Sequence, residues 1–213
     1  MMPKSQGEAF CDGVFAVAIT LLLLESRVPD GRLAHELLPQ RPSCTSYGVS
    51  FLFIGIIWVN HHAVSRYVLR VNRVLLFLNL GLLMAVSVLP LPTALLARYV
   101  RDGGANAHVA AFVYCLTITF QSIIWSTLWW YLTHHPDVHQ ASIGPNKAHA
   151  ISRQGLTGSM VYAATLGVAW VSAPLTLAVF AALAVFWAAF YRPESQARGS
   201  IAGEWLRSTR VAQ

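Results

Sequence analysis

The chain has 213 residues, of which 55% are hydrophobic and only 11% are charged. In soluble domains about a quarter of the residues are charged, so this composition excludes a soluble domain and indicates an integral membrane protein. The formal net charge of +6 requires no nucleic-acid partner, because lysines and arginines flanking membrane helices account for it.

Uncharged runs between charged or proline-containing loops predict six membrane-spanning helices. We place these spans at about residues 10–26, 46–65, 74–97, 107–132, 155–171 and 174–191, in a single domain (1–192) followed by a basic tail (193–213). Two prolines in Leu89–Thr93 must kink or end the third helix. The apolar block 154–191 is too long for one span, and Ser172–Pro174 is its expected turn.

The first span, FCDGVFAVAITLLLLE from Phe10 to Glu25, has an unusual distribution of charge. Its uncharged part, Gly13 to Leu24, covers only about 18 Å as a helix, against about 30 Å of hydrocarbon core. A spanning helix therefore carries a carboxylate into the membrane, which is costly unless that group faces protein or water. We expect this helix at the centre of an assembly or beside an aqueous path.

Gly13, Val17, Thr20 and Leu24 follow one another at spacings of 4, 3 and 4, which places them on one helical stripe. In a symmetric oligomer the stripe could line an axial pore, with apolar rings at Val17 and Leu24 and a hydroxyl ring at Thr20. The alternative is ordinary helix packing with Thr20 bonded to its own backbone. Spacing alone favours packing.

Asp12 could cap the N-terminus of the first helix, but a buried polar network or a functional role explains the short span better. Candidate partners cluster at the end of the second span, at Trp58, Asn60, His61 and His62. Adjacent histidines on a helix point about 100° apart, so we predict no metal site there. The loop histidines His134, His135 and His139 are interpreted as interfacial side chains, and no cofactor is expected.

Lysines and arginines are twice as frequent on the side of the two termini as on the opposite side. This bias predicts a multi-pass protein of the cell (inner) membrane with both termini in the cytoplasm. The three cysteines, Cys11, Cys44 and Cys115, are odd in number and are interpreted as thiols.

Enzyme motifs are absent from the sequence, which has no glycine-rich phosphate loop, nucleophile elbow or HExxH helix. A transporter built from inverted repeats is also disfavoured, because the first-helix pattern has no second copy. A chain with one pore-type helix must oligomerise to enclose a path.

Three segments, FCDGVFAVAITLLLLE, FLFIGIIWVNHH and LNLGLLMAVSVLPLPTALL, resemble the prokaryotic branch of the transmembrane protein 175 potassium-channel family. The resemblance implies an all-α homotetramer with six transmembrane helices per subunit, conducting potassium without a P-loop filter. The first helix would line the central pore. By position, Val17 and Leu24 would form the constriction and gate, and Thr20 would contribute to ion preference.

The resemblance also identifies Phe10 and Asp12 with the family's Phe-Ser-Asp signature. This chain has Cys11 in place of the serine, and Gln6 in place of an arginine four residues before the phenylalanine. Asp12 then needs another partner, for which His61, Asn79 or a cytoplasmic basic residue are candidates. Two other functions stay open, namely a proton-coupled or solute transporter using Asp12 and His61, and a non-conducting scaffold.

Overall fold

The computed structural model describes residues 4–24, 41–100, 103–135, 138 and 145–190, which are almost entirely helical. The helices are α1 (Lys4–Leu24), α2 (Arg41–Ser65), α3 (Arg73–Val88), α4 (Pro90–Tyr99), α5 (Gly104–His134), α6 (Pro145–Val171) and α7 (Ala173–Phe190). They overlap the six predicted spans, with the third divided between α3 and α4, and residues 25, 26 and 191 of those spans lie outside the described residues. The predicted tail and His139 lie outside the described residues.

Several of these helices have the length and composition of membrane spans. Four stretches qualify: Ser5–Leu24, Cys44–Ser65, Arg73–Tyr99 and Gly104–His134. The apolar helix Ala173–Trp187 is shorter. The chain is thus an all-helical, multi-pass membrane protein, as its composition predicted.

Helix α1 begins earlier than the sequence analysis placed it, at Lys4 instead of near residue 10. The segment before Phe10 contains lysine, glutamine and glutamate, which are good helix formers, and it continues the helix without a break. The 21 residues of α1 give a length of about 31 Å, enough for the hydrocarbon core. The helix is therefore not too short, and Asp12 lies inside it instead of capping its start.

The predicted interruption of the third span lies at Leu89. Helix α3 ends at Val88 and α4 begins at Pro90, whose missing N–H is tolerated at a helix start. The Thr93 hydroxyl donates to the Leu89 carbonyl at 2.8 Å, so the break keeps a local hydrogen bond. The predicted kink is confirmed.

The predicted division of the last apolar block is also confirmed. Helix α6 ends at Val171, Ser172 is non-helical, and α7 starts at Ala173. The Ser172 carbonyl accepts from the Thr176 hydroxyl at 2.9 Å, which ties the turn to the first turn of α7.

The helices pack into one bundle around two apolar clusters. The larger cluster includes Phe15, Ile54, Leu96, Tyr114 and Phe180, each at most 1% exposed. The smaller cluster lies where α2, α3 and α5 meet and comprises Val64, Leu75, Leu128, Trp129, Leu132 and Val138. Helix α1 contributes one face to the larger cluster and is thereby fixed against the rest of the subunit.

A buried set of hydroxyl groups links three helices inside the larger cluster. The Ser50 hydroxyl is 2.8 Å from that of Thr93 and 3.0 Å from that of Tyr114. These bonds join α2, α4 and α5, and satisfied buried polar groups favour a unique packing arrangement. The helices against which α1 packs are therefore held together by hydrogen bonds as well as by apolar contacts.

Candidate functional site on the first helix

Helix α1 has one face buried against its own subunit. Cys11, Phe15, Ala18 and Leu22 are at most 3% exposed, and their spacings of 4, 3 and 4 place them on one stripe. This face of α1 packs against the other helices of the subunit.

The predicted stripe of Gly13, Val17, Thr20 and Leu24 lies on the exposed part of α1. Val17 is 58% and Leu24 79% exposed, and a methyl group added at Gly13 would meet no atom within 4 Å. A single subunit therefore leaves these positions uncovered. Ordinary packing within the subunit does not account for the stripe.

Thr20 supplies the hydroxyl of this stripe. Its Oγ1 donates to the Val17 carbonyl at 2.8 Å, the backbone bond that the packing alternative expects. Because the proton is used in that bond, the lone pairs of Oγ1 remain available as acceptors. The side chain can therefore bond to its own helix and still offer an oxygen to a cation.

Asp12 is bonded to α2. The indole Nε1 of Trp58 donates to its Oδ1 at 2.9 Å. Trp58 belongs to the cluster named as a source of partners, whereas the expected alternatives His61 and Asn79 bond elsewhere. An indole N–H is a neutral donor, so Asp12 receives a hydrogen bond but no compensating charge from it.

A second set of bonds joins α1, α2 and α3 through Asn79. Its Oδ1 lies 2.6 Å from His61 Nε2, and its Nδ2 donates to Cys11 Sγ at 3.2 Å. Since the Asn79 amide nitrogen donates to sulfur, its oxygen accepts, and His61 Nε2 carries the proton. Asp12 and His61 are thus bonded to different partners, which does not assemble the relay that a transporter would use.

The remaining predicted site residues are Asn60, Gln6 and Phe10. Asn60 Oδ1 is buried and has no hydrogen-bond partner. Gln6 and Phe10 are exposed on α1. Gln6 precedes Phe10 by four residues and Phe10 precedes Gly13 by three, so the two extend the exposed stripe by two positions. The same helical spacing could have revealed this continuation from sequence.

The chain is similar to known channel proteins over most of its length. A family model described as "Endosomal/lysosomal potassium channel TMEM175" matches residues 7–90, which include α1 from its fourth residue onward and its polar partners on α2 and α3. A potassium channel of Streptomyces collinus is 48% identical over 191 residues, covering 88% of this chain and 92% of that protein. A potassium channel of Chamaesiphon minutus is 35% identical over 187 residues, covering 85% of this chain and 91% of that protein.

A solved structure shares the fold. It is described as a lysosomal potassium-selective channel TMEM175 homolog from Chamaesiphon minutus, and it covers 87% of this chain and 96% of its own. The TM-score is 0.75 at 34% identity. The likeness therefore extends over nearly the whole described bundle.

Proposed function

Because this chain belongs to the TMEM175 family, we propose that it is a potassium-permeable channel whose pore is lined by α1 of several subunits. The family is one of ion channels and not of enzymes, and both bacterial relatives described above are named potassium channels. No P-loop filter is needed in this proposal, since α1 itself provides the constriction.

The observation that carries the proposal is the exposure of the α1 stripe. Val17, Thr20 and Leu24 lie uncovered on a helix whose opposite face is buried. Four copies arranged as a homotetramer would turn each position into a ring around an axis. Apolar rings gate by excluding water, and a hydroxyl ring between them offers oxygen ligands to a partly dehydrated cation.

The proposal also specifies the permeant ion, the partners and the location of the channel. Potassium is the permeant ion, no cofactor takes part, and the partners are further copies of the chain and membrane lipid. The bias of lysine and arginine supports an inner-membrane location with both termini in the cytoplasm.

Purified protein in potassium-loaded liposomes tests the pore assignment. We expect Val17→Ala and Leu24→Ala to change potassium flux several-fold, because each removes an apolar ring. Leu23→Ala is the matched control, since Leu23 is the neighbouring leucine of α1, is also 62% exposed and points about 100° away.

Two results would count against the pore assignment. The first is an absence of potassium flux from the wild-type protein. The second is a flux that responds to Leu23→Ala as strongly as to Leu24→Ala, which would mean that the stripe has no special position.

A further inference from the structure

The segment between α2 and α3 combines positive charge with exposed apolar side chains. We call residues 66–73, RYVLRVNR, the basic loop; its last residue, Arg73, is also the first residue of α3. Arg66, Arg70 and Arg73 are all exposed. Between them Leu69 is 60% and Val71 40% exposed, so exposed cationic and apolar side chains are interspersed along the loop.

The basic loop is fixed to the end of α5 by directional bonds. The Leu69 N–H donates to the Val138 carbonyl at 2.8 Å, and the Asn72 amide donates to the Tyr131 hydroxyl at 2.8 Å. The rings of Tyr67 and Trp129 lie 6.0 Å apart. The arginines therefore project from a held backbone, which lowers the entropy lost when they bind a ligand.

The sequence on either side of this loop carries little negative charge. Residues 37–101 contain no aspartate or glutamate. Within the part of the chain that the structure describes, the carboxylates are Glu8 and Asp12, both on α1, and Asp12 already accepts from Trp58. Asp137, next to Val138 in sequence, lies outside the described residues.

The end of α5 beside the loop has the side chains of a membrane interface. Trp130 is 51% exposed, and its ring lies 4.8 Å from that of His134. Tryptophan and tyrosine concentrate at the level of lipid headgroups. The basic loop is therefore at the depth where phosphate groups are found.

We propose that the basic loop is a binding site for the phosphate headgroup of an anionic phospholipid. Arginine guanidinium groups bind phosphate oxygens in bidentate fashion, and Leu69 and Val71 contact the first carbons of the acyl chains. The proposal requires a membrane protein but not a conducting one, so it stands apart from the channel function.

Native mass spectrometry of the purified full chain, with equal amounts of phosphatidylglycerol and phosphatidylcholine added, measures this preference. We expect the wild-type protein to retain phosphatidylglycerol preferentially. Each of Arg66→Gln, Arg70→Gln and Arg73→Gln should weaken its retention about fivefold, the effect of one arginine near an anionic surface.

Arg98→Gln is the matched control, because Arg98 is exposed at the end of α4 and its loss removes the same charge from outside the loop. Equal retention of the two lipids by the wild type would overturn the proposal, as would an equal loss in Arg98→Gln. Displacement of the lipid by inorganic phosphate at the same concentration would also overturn it. Lipid retention is compared only among variants that keep the oligomeric state of the wild type.

Discussion

Thr20 brings a side-chain oxygen to a stripe that otherwise consists of Gly13, Val17 and Leu24. Valine has nearly the shape of threonine but no hydroxyl, so Thr20→Val removes the oxygen and keeps the volume. We expect the potassium-over-sodium permeability ratio to fall roughly fivefold, which corresponds to about 1 kcal/mol for one hydrogen-bonding group. Reversal potentials under bi-ionic conditions measure the ratio.

The control for this prediction is Thr20→Ser, which keeps the hydroxyl and should keep the ratio. A ratio unchanged in Thr20→Val would assign ion preference to the apolar rings instead.

The bond between Trp58 and Asp12 gives a second prediction at the scale of single residues. Trp58→Phe removes the donor, and we expect a loss of about 1 kcal/mol in stability, at the low end for a charged acceptor because the pair is exposed. Thermal unfolding of the detergent-solubilised protein measures it. In a double-mutant cycle, Asp12→Ala, which removes the acceptor, should add less in the Trp58→Phe background than alone, whereas additive losses would mean that the bond contributes nothing.

Whether Asp12 would pair with Trp58 could be predicted only in part. The sequence placed four polar or aromatic residues near one helix end, and Trp58 was among them. Which of them meets Asp12 depends on the rotation of α1 against α2, and that is set by the burial of Cys11 and Phe15 in tertiary packing. The same packing leaves Cys11 only 3% exposed, so we expect its thiol to react slowly with labelling reagents.

Among the elements, α5 and α6 approach closely at Gly155. A Cβ atom there would lie 3.1 Å from Ser126 Oγ, whereas a Cβ atom at Gly158 would meet no atom within 4 Å. We expect Gly155→Val to lower the unfolding temperature, because overpacking reduces the free energy of unfolding by about 1–3 kcal/mol. Gly158→Val, one turn further along α6, is the matched control for helix propensity. Equal effects of the two variants would show that the close approach is easily relieved.

The boundaries of elements were predictable where proline or a charge marks them. Pro90 and the Ser172–Pro174 turn divide helices in the structure as expected, because a missing N–H or a small polar turn acts locally. The predicted start of α1 near residue 10 is wrong, because the polar segment from Lys4 to Glu8 continues the helix although it contains Gly7. The hydrogen bonds of Ser50 to Thr93 and Tyr114 could not be predicted from any short stretch of sequence, because they join three separate helices.

At the scale of the whole molecule, orientation can be tested with a native cysteine. Cys44 is exposed near the start of α2, while Cys11 and Cys115 are buried. With cytoplasmic termini, the start of α2 faces outward, so a membrane-impermeant maleimide added to intact cells should label the chain. Cys44→Ser should abolish the label. Labelling that requires permeabilised cells would reverse the assigned topology.

The polar ties of α1 to its neighbours have a mechanical consequence. Asp12–Trp58 and Cys11–Asn79 both lie in its N-terminal half, which makes that half a pivot. A tilt of 10° about Asp12 would displace Leu24 by about 3 Å but Val17 by only about 1 Å, from the rise of 1.5 Å per residue. A tilt of α1 about these bonds would therefore move Leu24 farther than any position nearer to Asp12.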